Sequence, residues 1–78
     1  MDDELKVMLE LIVPRLVRSI VEDMHLSEQE AFALLYSSVL YEQLAREETK
    51  LWHLSVPTLY SMFKEEQDTG TITYPEEA

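Results

Sequence analysis

The sequence predicts an all-α fold, a small bundle of about four helices whose first helix is long and kinked at Pro14. Three observations carry this. Apolar residues recur at helical spacing from Leu5 to Met24, Ser27-Glu28-Gln29-Glu30 spells a capping box, and Ser55 followed by Pro57 marks the start of a last helix. The chain has 78 residues, one glycine and no cysteine. That length holds one domain, near the lower limit for an adequate core. The predicted organisation is a helical domain over 1–70 and a C-terminal tail over 71–78.

Leu5 to Met24 is the most apolar stretch, with twelve of twenty residues Leu, Ile, Val or Met. At ~100° per residue, Met8, Ile12, Leu16, Ile20, Val13 and Val17 lie within one broad arc. Val7 and Leu11 fall outside it, among Arg15, Arg18, Ser19 and Glu22. This apolar face is wider than a two-layer packing requires. Pro14 removes one helical hydrogen bond and crowds the Glu10 carbonyl, so the stretch is either one kinked helix or two helices. Unbroken periodicity across Pro14 favours the kinked helix.

Ser27 and Glu30 satisfy each other's backbone amides at the start of a helix over Glu28 to about Tyr36. Leu26 and Ala31 occupy the staple positions. Ala31, Phe32, Leu35 and Tyr36 share one side of this helix. Continued without a break, the helix would turn Leu40, Tyr41 and Leu44 to the opposite side. Ser37-Ser38 stands where the phase changes, and serine caps helices well. A corner there and a new helix from Val39 to about Arg46 are expected; the alternative is one continuous helix. Glu47 to Lys50 reads as a polar turn, and Leu51-Trp52-His53-Leu54 as a connection anchored in the core. Val56, Leu59, Met62 and Phe63 make the buried face of the last helix, which Gly70 stops. Thr71 to Ala78 is a tail that could dock through Ile72 and Tyr74.

The chemistry-bearing residue types are sparse. His25 and His53 are the two imidazoles, and the Glu22–His25 spacing, one helical turn, lacks the further ligands that a metal site needs. His25 is better placed as a helix C-terminal histidine favoured by the dipole. One glycine cannot make a phosphate loop, and no serine sits in a nucleophile elbow. Some 70 ordered residues leave little interior for a pocket. The expectation is a protein that is not an enzyme and holds no cofactor or metal. Tyr36, Tyr41, Trp52 and Tyr60 could form a binding surface or line the core with their polar tips wet; Trp52 reads as a core residue, while Tyr41 and Tyr60 fit either.

Sixteen acidic side chains face six basic ones, a formal charge of −10. The six bases are dispersed, and every segment is net acidic. Such a chain is repelled by nucleic acid and by anionic lipid surfaces. The acidic start lacks the pattern of a secretory signal, and no apolar run approaches a membrane span. A cytoplasmic protein is expected. The excess apolar width of the first helix points to cover by another chain, with Val7, Leu11, Arg15 and Arg18 as the candidate interface of a homodimer. The alternative is a first helix buried centrally by the other three. An acidic face could also dock on a basic protein partner.

Leu26-Ser27 before Glu30-Ala31, Leu35-Tyr36-Ser37-Ser38 before Tyr41-Glu42, Glu48 to Trp52, Leu59-Tyr60 and Glu65 to Gly70 resemble a class of small uncharacterised helical proteins of Gram-positive gut bacteria. Some members resemble components of toxin–antitoxin-like operons. The resemblance implies an antitoxin-like binding role and carries no catalytic residues. The competing expectation is a helix-turn-helix transcriptional regulator. Val39 to Arg46 offers only Gln43 and Arg46 beside Glu42, which argues against it.

Overall fold

In a computed structural model that describes residues 3–72, the chain is all helical. The order is α1 (Asp3–Met24), α2 (Glu28–Tyr36), α3 (Val39–Leu44), two short 3₁₀ turns (Glu47–Thr49 and Leu51–His53), and α4 (Val56–Thr69). No strand occurs among the described residues. Tyr74 of the expected tail lies outside them.

α1 passes through Pro14 as one element rather than two. Pro14 stands on the exposed face, and Glu10, whose carbonyl loses its helical donor, is itself exposed. The long axis of the molecule, 34 Å, is close to the ~33 Å that a helix of this length spans. α1 is therefore the beam on which the other elements lie. Ile12, Val13, Leu16, Val17 and Ile20 form its buried stripe. Nothing described ahead of Ile12 is fully buried, because α2 and α4 are too short to cover the whole beam.

Three residues join α1 to α2. His25 takes the left-handed conformation, φ 58°, and its amide donates to the Val21 carbonyl at 3.0 Å. A left-handed residue just past a helix end is the usual way to reverse the chain. The capping box then starts α2: the Glu30 amide donates to Ser27 Oγ at 3.1 Å, and the Ser27 amide donates to Glu30 Oε1 at 3.0 Å. α2 returns along α1, so Glu28 faces Val21 and Tyr36 reaches the level of Leu9.

The corner at Ser37-Ser38 is present, and α2 and α3 are separate helices. Ser38 is buried and double-bonded: its hydroxyl donates to the Leu35 carbonyl at 2.5 Å and accepts from the Tyr41 amide at 3.1 Å. The first amides of α3 find a distant partner. Val39 N donates to Glu66 Oε2 at 2.7 Å and Leu40 N to Glu66 Oε1 at 2.9 Å, which fastens α3 to the last turns of α4. α3 ends at Leu44, two residues short of the expected Arg46. The Arg46 amide instead donates to the Gln43 carbonyl at 3.1 Å, a tighter turn that ends the α-helix.

Leu51 and Trp52 are buried, as the reading of an anchored connection requires, and Trp52 Nε1 donates to the Glu47 carbonyl at 3.2 Å. In α4, Leu59, Met62 and Phe63 are buried while Val56 is half-buried. Ser55 Oγ accepts from the Thr58 amide at 3.3 Å, and Gly70, φ 82°, ends the helix. Ile72 packs against the core. Among the described residues no buried side-chain nitrogen or oxygen lacks a partner.

Two stability changes follow. Glu66→Ala removes two charge-assisted bonds to amides that have no helical alternative, and is expected to cost about 1–3 kcal/mol in urea unfolding. His25→Gly relieves a left-handed non-glycine residue and is expected to raise stability by about 0.5–1 kcal/mol. A Glu66→Ala protein as stable as the parent would remove the corner clamp from the account.

Candidate functional site

The four residues singled out from the sequence lie together on the outer face of α1. Val7 is 53% exposed and Leu11 52%, and Arg15 and Arg18 are exposed beside them. At ~100° per residue the four fall within an arc of about 80°, on the side facing away from the buried stripe. Arg18 is held by Glu22, Nε to Oε2 at 3.3 Å. The outer face of α1 is thus not covered by the other helices of this chain, which answers the alternative of a centrally buried α1.

A second feature adjoins the stripe. A trough runs between α1 and α2 and ends at the α2–α3 corner, deepened at two neighbouring hollows of about 560 and 380 Å³. Leu5, Leu9 and Val13 form its floor on α1. Its opposite wall is a row of aromatic rings. Phe32 and Tyr36 have centroids 5.6 Å apart, and Tyr36 meets Tyr41 edge-on at 4.8 Å. Tyr36 is 51% exposed, so it does not follow Ala31 and Leu35 into the core. Burial pushes the Tyr41 hydroxyl above its ordinary pKa, and the neighbouring Tyr36 adds to this. Pro14 and Phe32 border both hollows and join them.

Composition marks Tyr36 and Tyr41 as candidates for a binding surface, but periodicity does not join them to Phe32 and α1 in one trough. Phe32 and Tyr36 read as an apolar side of α2 next to Ala31 and Leu35. The signal that could have found it is the phase change at Ser37-Ser38, which swings Tyr41 around to meet Tyr36. A ring row built across a corner has no single helical period.

Other candidates resolve into structure. Trp52 is buried, stacked on His53 at 4.2 Å between ring centroids, with Lys50 Nζ 6.0 Å above the ring. Tyr60 reaches back to α1, where its hydroxyl donates to Asp23 Oδ2 at 2.6 Å. Lys64 Nζ meets the same oxygen at 3.1 Å. This cluster ties the end of α1 to α4. The Tyr60 hydroxyl bond and the Lys64 ammonium hold the Asp23 carboxyl below its ordinary range. Desolvation and the Asp23 carboxylate push the Tyr60 hydroxyl well above its own. Among the described residues no three histidine, aspartate or glutamate side chains converge to hold a metal ion.

The helix that a helix-turn-helix would insert, α3, has six residues and buries Leu40 and Leu44. Arg46, just beyond it, is paired with Glu42 at 3.6 Å. Among the described residues no helix is long and apolar enough to cross a membrane. Comparison with family models, with curated proteins and with solved structures finds no match.

The Asp23 cluster generates a pH dependence with a definite sign. A carboxyl whose folded pKa is depressed stabilises the fold above its unfolded value, near 3.8, and that contribution is lost as pH falls through the lower folded value. Asp23→Asn is therefore expected to flatten the acid-side decline of the melting temperature below about pH 4. Superimposable profiles for the two proteins would show that the cluster adds nothing to stability.

Proposed function

We propose that this chain is a small, acidic, non-enzymatic protein-interaction module that pairs with a second copy of itself through the outer face of α1. The observation that carries the reading is the half-exposed pair Val7 and Leu11, one turn apart on the longest helix and flanked by Arg15 and Arg18. A chain this small has few apolar residues to spare, and two left on the outer face of its longest helix call for cover. Helix-on-helix packing supplies it with matching geometry.

The arrangement we favour is isologous and antiparallel, with a two-fold axis near Leu11. It sets Arg18 of each copy opposite Glu4 of the other and Arg15 opposite Val7. The formal charge of −10 per chain works against pairing at a distance. Arg15 and Arg18 make the stripe less acidic than the chain as a whole, so repulsion is lower there.

An antitoxin-like role, with the acidic surface covering a basic partner, is the concrete version of this reading. It is supported by the dispersed negative charge and by the resemblance drawn from Leu26 to Gly70. A cytoplasmic setting and the absence of nucleic-acid and membrane partners belong to the same proposal.

Light scattering at micromolar concentration is expected to give a mass near twice that of one chain. Leu11→Glu places a charge at the centre of the contact and should weaken pairing by about 100-fold or more. Its circular dichroism and melting should stay close to those of the parent monomer, since Leu11 supports nothing inside the chain. A parent protein that is strictly monomeric at high concentration would overturn the self-association.

A further inference from the structure

The trough runs between α1 and α2 towards the α2–α3 corner; it borders the outer stripe, with which it shares Arg18, and has its own chemistry. Its floor is aliphatic and its wall is a row of aromatic rings. The groups that face it from α1 are Lys6, Glu10, Arg18 and Glu22, and from α2 Glu28. Arg18 and Glu22 bind each other at 3.3 Å. That leaves Lys6 against the exposed carboxylates Glu10 and Glu28, one bordering each hollow, within a chain of charge −10.

We propose that the trough receives the apolar face of a basic amphipathic helix from a partner protein. The occupant is argued from three properties. An open trough beside a long helix accepts side chains spaced one turn apart, as helix-in-groove recognition does. Half-exposed tyrosine and phenylalanine rings present faces that attract ammonium and guanidinium groups, and tyrosine is enriched at binding hot spots. The charge of the whole chain draws a cationic segment in and repels an acidic one. A second copy of this chain is a poorer occupant, because its helices are net acidic and would bring like charge to Glu10 and Glu28.

The inference rests on the chain being an interaction module but not on its self-association. It gives the basic partner a place to dock: the i, i+4 and i+7 side chains of the incoming helix lie along Leu5, Leu9 and Phe32, and its flanking cations meet Glu10, Glu28 and the ring faces.

The test uses three synthetic peptides of about four helical turns, titrated against the full chain by fluorescence anisotropy. The first carries leucines at i, i+4 and i+7 with lysines on the flanks. The second replaces each lysine with glutamate. The third keeps the first composition but scatters the leucines around the helix. The first is expected to bind about tenfold or more tightly than either of the others. Tyr36→Ala, at an exposed position that leaves the fold intact, should weaken the first peptide by about tenfold. The double variant Glu10→Lys, Glu28→Lys should erase its advantage over the second.

Leu11→Glu, which separates paired copies, should bind the first peptide as tightly as the parent; that result supports the trough whatever the oligomeric state proves to be. Equal binding of the scattered peptide would reduce the effect to bulk charge and overturn the inference. So would an affinity unmoved by Tyr36→Ala, or loss of peptide binding in Leu11→Glu, which would place the peptide on the outer stripe.

Discussion

The Glu66 carboxylate pins together two helices, α3 and α4, that also share the buried core. It accepts from the Val39 and Leu40 amides, 27 and 26 positions earlier, and so caps α3 from α4. A helix of six residues has too few internal hydrogen bonds to hold itself together. α3 persists because Ser38 satisfies one of its leading amides, Glu66 satisfies two more, and Leu40 and Leu44 are buried. The exchange is mutual, since the last turns of α4 are fixed by the same bonds. The corner is therefore a tertiary joint made from helix-capping chemistry.

That joint decides what the surface offers. Turning the chain at Ser37-Ser38 lets Leu35 and Leu40, on either side of the corner, both face the core while Tyr36 is left outside. Tyr41 then closes on Tyr36 from the next helix, and the ring row exists only because the corner has this angle. A continuous helix would have carried Tyr41 around to the opposite side. The long α1 does the rest. Its first turns extend past the helices that cover its second half, so Leu5 and Leu9 stay half-buried and line a trough instead of a core.

Charge is distributed to suit this division. Several acidic groups are committed to local structure: Glu30 to the capping box, Glu66 to the corner, Asp23 to Tyr60 and Lys64, Glu22 to Arg18, and Glu42 to Arg46. Glu10 and Glu28 border the trough instead. The surface ion pairs add little to stability by themselves. Two of them hold Arg18 and Arg46 against glutamates of their own helical turn.

Much of the architecture was legible in the sequence because it is local. Helix starts at Ser27, Ser38 and Ser55, the stop at Gly70, and the buried stripe of α1 follow from side chains that act within one turn of themselves. The outward position of Val7 and Leu11 was legible for the same reason, since helical phase alone removes them from the core. The left-handed turn at His25 carries no such mark, because histidine is not the residue that the turn demands. The Glu66 clamp, the Asp23–Tyr60–Lys64 tie and the aromatic trough depend on pairs 26 to 41 positions apart or on rings brought together across a corner. Local physics fixed which residues start, stop and face inward; only the packing of one helix against another decided which exposed rings and carboxylates became neighbours.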